Sequence, residues 1–271
     1  MEKLNFVSFT SSKNEGQMNT AASFYPEGMT PAERKQIMEA NKQKLGDRVG
    51  FDYKKLFIPI QKTSNKPDLY ENGHTLILDN GIVNAYDNLY NFDYNCDIVK
   101  ITRETPYVAI GYPMADCAII TAVNLKTEEA VMTHCGGEYI NRYLPMQLID
   151  SLGGKEEDIR VHVSPFAHTL NYRTGKPNWI SDRQIWDGFL DFNANGLDIN
   201  QLGALRKMLK QRMIDDKNIY FYPFDTTKDT RFYSNSNAYN GLKEDAGRQL
   251  AGVVLTNERN YGNDPYVKVF R

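Results

Sequence analysis

The stretch GYPMADCAIITAVNLKTEEAVMTHCGG, residues 111–137, decides the fold. Two runs rich in β-branched and small apolar residues, CAIITAVN and EAVMTHC, flank the polar connection LKTE, the pattern of an antiparallel hairpin. With Asn124–Thr127 as the connection, Cys117 falls opposite His134, both side chains on one face and roughly 5 Å apart at Cβ. A slip of one residue would put them on opposite faces. Thiolate and neutral imidazole are good donors for a transition metal, but a catalytic zinc takes three protein ligands plus water, so this pair alone is incomplete. The same two groups also serve as nucleophile and base, the imidazole holding a thiolate for attack on a carbonyl or amidine carbon. Asp116 can orient either arrangement, although neighbouring strand residues point to opposite faces. Without further context, the pair describes a buried thiol beside a hydrogen-bonded core histidine. Gly136 and Gly137 end the second run and let the backbone approach a ligand or turn.

Working outward, the chain has 271 residues, more than the usual domain, yet a mixed sheet covered by helices reaches this length as one unit spanning 1–271. The formal net charge of -2 offers no general attraction to polyphosphate or anionic lipid, which sets aside bulk nucleic acid as a partner. No apolar run approaches the roughly 20 residues that span a bilayer, and MEKLNFVSF lacks a basic stretch followed by an apolar one, so a cytoplasmic protein is expected. Cys96, Cys117 and Cys135 are too few and too scattered for a disulfide framework. Seventeen tyrosines and a mean hydropathy of -0.55 supply polar side chains with flat apolar bodies, suited to lining a pocket.

Thr30 reads as an N-cap with Pro31 at the first helical position and Glu33 completing a capping box, and the helix is expected to stop at Gly46. KLNFVSF, LFIPI (56–60), HTLIL (74–78), CDIVKIT (96–102), PYVAIGY (106–112), IRVHVSP, NIYFYPF (218–224) and QLAGVVLTN (249–257) read as strands. LDINQLGALRKMLKQRM (197–213) reads as a helix with Ile199, Leu202, Leu205, Leu209 and Met213 as its apolar stripe. Interleaved strands and helices without a strict βαβ repeat predict an α/β fold, a mixed sheet flanked by helices. The polar segment 225–246 reads as a surface loop or a lid.

Taken in order, several segments resemble one family. ADC (115–117) and HCGGEY (134–139) are similar to its Ala-Asp-Cys strand and its His-Ala-Gly-Trp-Arg-Gly strand end. ANKQKL (40–45) before LFIPIQKTS (56–64), CDIVKIT, VSPFAHTLNYRTG (163–175), INQLGAL (199–205), FYS (232–234) and GRQLAGVVL (247–255) follow where its other motifs lie. These are the YfiH-type laccase-domain proteins, variously described as polyphenol oxidases and as purine nucleoside phosphorylases and deaminases. The resemblance implies a mixed α/β fold related to the cytotoxic necrotizing factor deamidase domains. It also implies a zinc held by His, Cys and His beside a pocket for a purine nucleoside and phosphate.

On that resemblance Cys117 and His134 match two zinc ligands, and Thr63 stands where the third, a histidine, is expected. A threonine hydroxyl is a poor zinc ligand at neutral pH, which leaves His74, His162 and His168 as candidate replacements and zinc as a weakened cofactor. Asp116, Gly136, His168, Tyr172 and Arg248 fall on ligand-pocket positions. FTSS (9–12), Gly137-Glu138 and Asn235-Ser236 each replace a segment in which the family has arginine, the usual two-pronged phosphate clamp. Arg248 remains, and Lys13 can replace one lost cation. The expectation is therefore a pocket protein that binds a nucleoside- or nucleotide-derived small molecule with little or no turnover, sequestering it, either as a monomer or as an isologous homo-oligomer. The alternatives are a zinc-dependent purine nucleoside phosphorylase or deaminase and a Cys-His deamidase-like enzyme.

Overall fold

The computed structural model describes residues 4–19, 22–59, 75–78, 96–173, 177, 180, 183–257 and 259–271. Thr63 and His74 lie outside the described residues. The strands are β1 (Leu4–Thr10), β2 (Leu56–Phe57), β3 (Thr75–Ile77), β4 (Ile98–Thr102), β5 (Ala109–Met114), β6 (Ala118–Asn124), β7 (Glu129–Cys135), β8 (Ile159–Val163), β9 (Thr169–Tyr172), β10 (Leu190–Asn193), β11 (Gly196–Asn200), β12 (Ile219–Phe221), β13 (Gln249–Asn257) and β14 (Val267–Val269). The helices that matter here are α1 (Pro31–Val49), α2 (Gly137–Asn141), α3 (Leu144–Leu152), α4 (Gln201–Gln211) and α5 (Asn235–Tyr239).

Among the described residues the strands form three sheets rather than the one expected. Five strands run β14-β1-β13-β5-β2, six run β12-β8-β6-β7-β4-β3, and three run β10-β11-β9. Parallel pairs (β2 with β5, β3 with β4, β8 with β12) sit among antiparallel ones, so the mixed character holds. Alternation explains the layering. In β6, Ile119 and Val123 turn inward to meet Ile110, Tyr112 and Val253 of the five-stranded sheet, while Ala118, Ile120 and Ala122 turn outward under Leu148, Leu205 and Leu209 of α3 and α4. On the far side, Leu45 and Val49 of α1 cover Val7, Leu56 and Val254. Burial on both faces is why these strands read as nearly continuous apolar runs.

The hairpin forms, with its register moved. Ala118 pairs with Cys135 and Ile119 with His134, and the connection is Leu125–Glu128 rather than Asn124–Thr127. Asn124 ends the strand instead of entering the turn. Its Oδ1 accepts from the Lys126 and Thr127 amides at 2.9 and 3.1 Å, its Nδ2 donates to the Gly153 carbonyl at 3.1 Å, and Glu128 takes the left-handed φ of 57°. Continuing this register sets Cys117 opposite Gly136. His134 is then its diagonal neighbour on the same face, because moving the connection by one residue changes the pairing by two.

Two helix ends also move. Thr30 and Glu33 form the expected capping box, but α1 runs past Gly46 to Val49 and ends at Gly50, whose φ of 101° only glycine adopts freely. The expected helix 197–213 begins at Gln201, capped by Asn200 Oδ1 on the Gly203 amide at 2.8 Å, and Leu197–Asn200 are strand. Ile199 satisfies both periodicities, since it precedes the helical stripe by three residues and alternates with Leu197. His162 is a core residue, its Nδ1 2.7 Å from Ser8 Oγ and its ring stacked on Phe270. Among the described residues no helix is long and apolar enough to cross a membrane.

Asn124 therefore holds the connection on which the register depends. Asn124→Ala is expected to lower stability by about 0.5–1.5 kcal/mol for each hydrogen bond lost to these exposed turn partners, read as a shift of the urea midpoint. Asn124→Asp keeps the acceptor of the turn amides and is expected to recover part of that loss; equal loss in both variants would contradict this role.

Candidate functional site

Cys117 and His134 meet where β6 begins and β7 ends, on the face turned toward the five-stranded sheet. Gly136 separates them: a Cβ there would lie 3.2 Å from Cys117 Sγ and 4.0 Å from His134 Cε1, so the missing side chain is what leaves thiol and imidazole open to one another. The imidazole lies between the rings of Tyr112 and Tyr139, with centroids 6.0 and 6.1 Å away. A cavity of about 490 Å³ opens above the pair. Among the described residues its walls include Met114 and Ala115 from the end of β5, Leu170, Asn171 and Tyr172 from β9 with Arg173 beyond it, Asn235, Ser236 and Tyr239 from α5, then Asn240 and Arg248.

Asp116 lines the same cavity and is almost wholly buried. Its Oδ1 accepts from Thr226 Oγ1 at 2.8 Å and its Oδ2 from the Ser236 amide at 2.6 Å, tying the 226–236 segment to the strand that carries the thiol. Burial pushes its carboxyl pKa up, opposed by these hydrogen bonds. Asp116 is thus a wall anchor, a different role from orienting His134. Arg248 sits just before β13. Its amide donates to Gln17 Oε1 at 2.8 Å and its guanidinium lies 4.8 Å from the Phe24 ring centroid.

The protonation states follow from burial. Cys117 keeps only part of its surface on the cavity; burial of the rest, helped by the nearby Asp116 carboxylate, pushes its thiol up to about 12. Burial and then the positive charge of Arg248 lower His134 to about 4. Both groups are neutral at pH 7. A thiolate held by imidazolium, which the deamidase-like alternative requires, is disfavoured on both sides.

His168 does not join the site. It packs against Phe166 at 5.0 Å between ring centroids, and its Nδ1 points toward Asp225, 3.9 Å from Oδ2. Asp225, beside the 226–236 segment, draws the ring away from the cavity. Lys13 pairs with Asp245 and lies over Tyr233 at 5.5 Å, so it is not the replacement cation. Glu138, where an arginine was expected from the resemblance, is engaged by Arg142 one turn on. Tyr172 and Arg248 line the cavity, while Gly136 stands beside the Cys117 thiol. The sequence pointed to the segments holding Asn171, Arg173, Tyr239 and Asn240 without singling these residues out; the signal within them was an excess of asparagine and tyrosine.

Cys117 and His134 are two donors of the type a transition metal takes. Among the described residues no cluster of three His, Cys, Asp or Glu is placed to hold a metal ion, so this donor set is one short of a zinc site.

Layered mixed sheets thus carry a thiol–imidazole pair at a strand end, beneath a cavity. The chain belongs to the family described as multi-copper polyphenol oxidoreductase laccase, whose family model matches residues 8–256. The fold is similar to that of the hypothetical protein YfiH from Bacillus licheniformis, with a TM-score of 0.66 and 15% identity over 92% of each chain. It is similar also to YlmD from Geobacillus stearothermophilus, with a TM-score of 0.58 and 14% identity over 94% of this chain and 92% of that one. A Neisseria meningitidis protein matches with a TM-score of 0.64 and 14% identity over 93% of this chain and 95% of that one. At these identities the likeness is one of fold. A comparison with curated proteins finds no match. Two donors do not fit the several-copper centre that the family description names.

If burial sets the two protonation states, the His134 imidazole carbons are expected to show no titration by NMR between pH 8 and pH 5. Over the same range Cys117 is expected to react with iodoacetamide more slowly than a free thiol. A His134 midpoint near 6.5, the ordinary value, or thiolate-like alkylation would overturn this reading.

Proposed function

We propose that this chain binds a nucleoside-derived small molecule in the cavity above Cys117 and His134 and holds it with little or no turnover. The observation that carries this is the composition of the wall. Tyr172 and Tyr239 offer flat rings, Asn171, Asn235 and Asn240 offer paired donors and acceptors, and Arg248 offers a cation beside them. Rings suit a base, amides suit its edge and the ribose hydroxyls, and a guanidinium suits a phosphate. The volume of about 490 Å³ falls within the roughly 300–1,000 Å³ usual for small-molecule sites.

Turnover is the poorer reading because the chemical groups are quiet. The thiol is pushed to about 12 and the imidazole to about 4, so neither stands near neutrality, where acid–base work is most efficient. Binding of this kind withdraws a ligand from solution, and sequestration of a nucleotide signal is the role we assign to it. A family-type purine enzyme is the second reading, favoured by the convergence of thiol and imidazole; stoichiometric metal in the purified protein, lost in Cys117→Ala, would replace the first reading with it.

Adenosine, guanosine and AMP, each added in excess, test the proposal by thermal shift. At least one is expected to raise Tm and to be recovered unchanged by chromatography, and Tyr172→Ala is expected to weaken its binding about fivefold or more, the loss of one base–aromatic stack. A converted product, or no shift with any of the three, would refute it.

A further inference from the structure

We propose that the open edge of β10 pairs with β10 of a second copy of this chain, forming an isologous dimer whose two-fold axis passes through Phe192. The inference does not depend on what the cavity holds. In the sheet β10-β11-β9, β10 has a neighbour on one side only. Asp191, Phe192 and Asn193 are exposed, Phe192 to 67%. A strand edge that carries an exposed aromatic ring is a template for another strand.

The ladder fixes which backbone groups point outward. The Asn200 amide donates to the Phe189 carbonyl at 2.8 Å, which puts Phe189, Asp191 and Asn193 at the bonded positions facing β11. Leu190 and Phe192 alternate with them, so their N–H and C=O groups turn to the open side. Among the described residues no backbone hydrogen bond is made there.

The side chains choose the occupant and its register. A two-fold axis normal to an antiparallel pair sets residues opposite one another whose numbers have an even sum. Centred on Phe192, it places that ring against the partner's Phe192, Leu190 against the partner's Ala194, and Asp191 against the partner's Asn193. One face of the joint is then wholly apolar, and the other pairs a carboxylate with an amide donor. Asn193 Nδ2 bonds Asp198 at 2.8 Å and keeps a second hydrogen for this contact. The outward backbone groups of the two Phe192 residues meet as a bonded pair. Centring on Asp191 would instead oppose two carboxylates, and centring on Asn193 would set the strand against the turn at Ala194 and Asn195. Any extended chain can satisfy the backbone, but a second copy supplies both matched rows from this one sequence. Phe192, Asn193 and Ala194 also line a depression of about 1030 Å³ that meets the cavity at Asn171, Arg173 and Asn240, so pairing brings the partner's hairpin to the cavity margin.

Sedimentation velocity over a concentration series tests this on the full chain. A dimer is expected with a dissociation constant of about 1–100 µM, as suits a short two-stranded joint. Phe192→Asp sets two carboxylates face to face and is expected to weaken it about tenfold or more, with the Tm of the dilute protein unchanged because the side chain is exposed. Under a mild oxidant Phe192→Cys is expected to give a disulfide-linked dimer, since facing Cα atoms of a bonded pair lie about 5.5 Å apart, whereas Asn195→Cys, out on the turn, is expected to remain unlinked. A monomer at every concentration would overturn the proposal and leave the edge to an extended segment of another protein. A dimer indifferent to Phe192→Asp, with no cross-link through that position, would overturn it by placing the interface elsewhere.

Discussion

Everything at the site depends on the pairing of β6 with β7. Side chains alternate along a strand, so one register puts Cys117 and His134 on the same face and the adjacent register parts them. Where the connection between the two strands starts is set by a single amide side chain. Asn124 bends its carbonyl oxygen over two turn amides and stays in the ladder, so the connection starts one residue later. Burial on both sides then locks the choice, because a slip would carry Ile119 and Val123 from one core into the other and Ile120 and Ala122 the opposite way.

The same burial that secures the hairpin quiets its chemistry. An imidazole flanked by tyrosine rings and a largely buried thiol, without a third donor among the described residues, lose most of the water that would support their charged forms. Arg248 adds to this by disfavouring a second positive charge on His134. Family membership and fold are thereby compatible with a pocket in which recognition outlasts reactivity, since binding needs shape and hydrogen bonds while catalysis needs groups poised to change charge.

Much of this was legible in the sequence, and the failures have physical causes. The hairpin, the capping box at Thr30 and Glu33, and β13 at Gln249–Asn257 were plain because local patterning alone specifies them. The start of the turn was not, because asparagine serves equally well inside a turn and as the residue that caps it from the strand. The helix at Gln201 was begun too early because Leu197 and Ile199 fit two periods at once. Splitting one sheet into three depends on contacts far apart in the chain, which periodicity does not encode. His168 was drawn toward the site by its position in a motif, whereas Asp225 and Phe166, distant in sequence, settle where its ring goes.

The buried carboxylate of Asp116 has a kinetic meaning. It clasps Thr226 and the first turn of α5, so the wall of the cavity is fastened to the strand that bears its floor. Swinging that wall outward would strip two donors from an acid that water barely reaches, at a cost of about 1–3 kcal/mol for each broken bond. A guest of the kind proposed above would leave by that route only at the pace of this rupture. Slow release would then be a property of the enclosure itself, obtained without any added grip on the occupant.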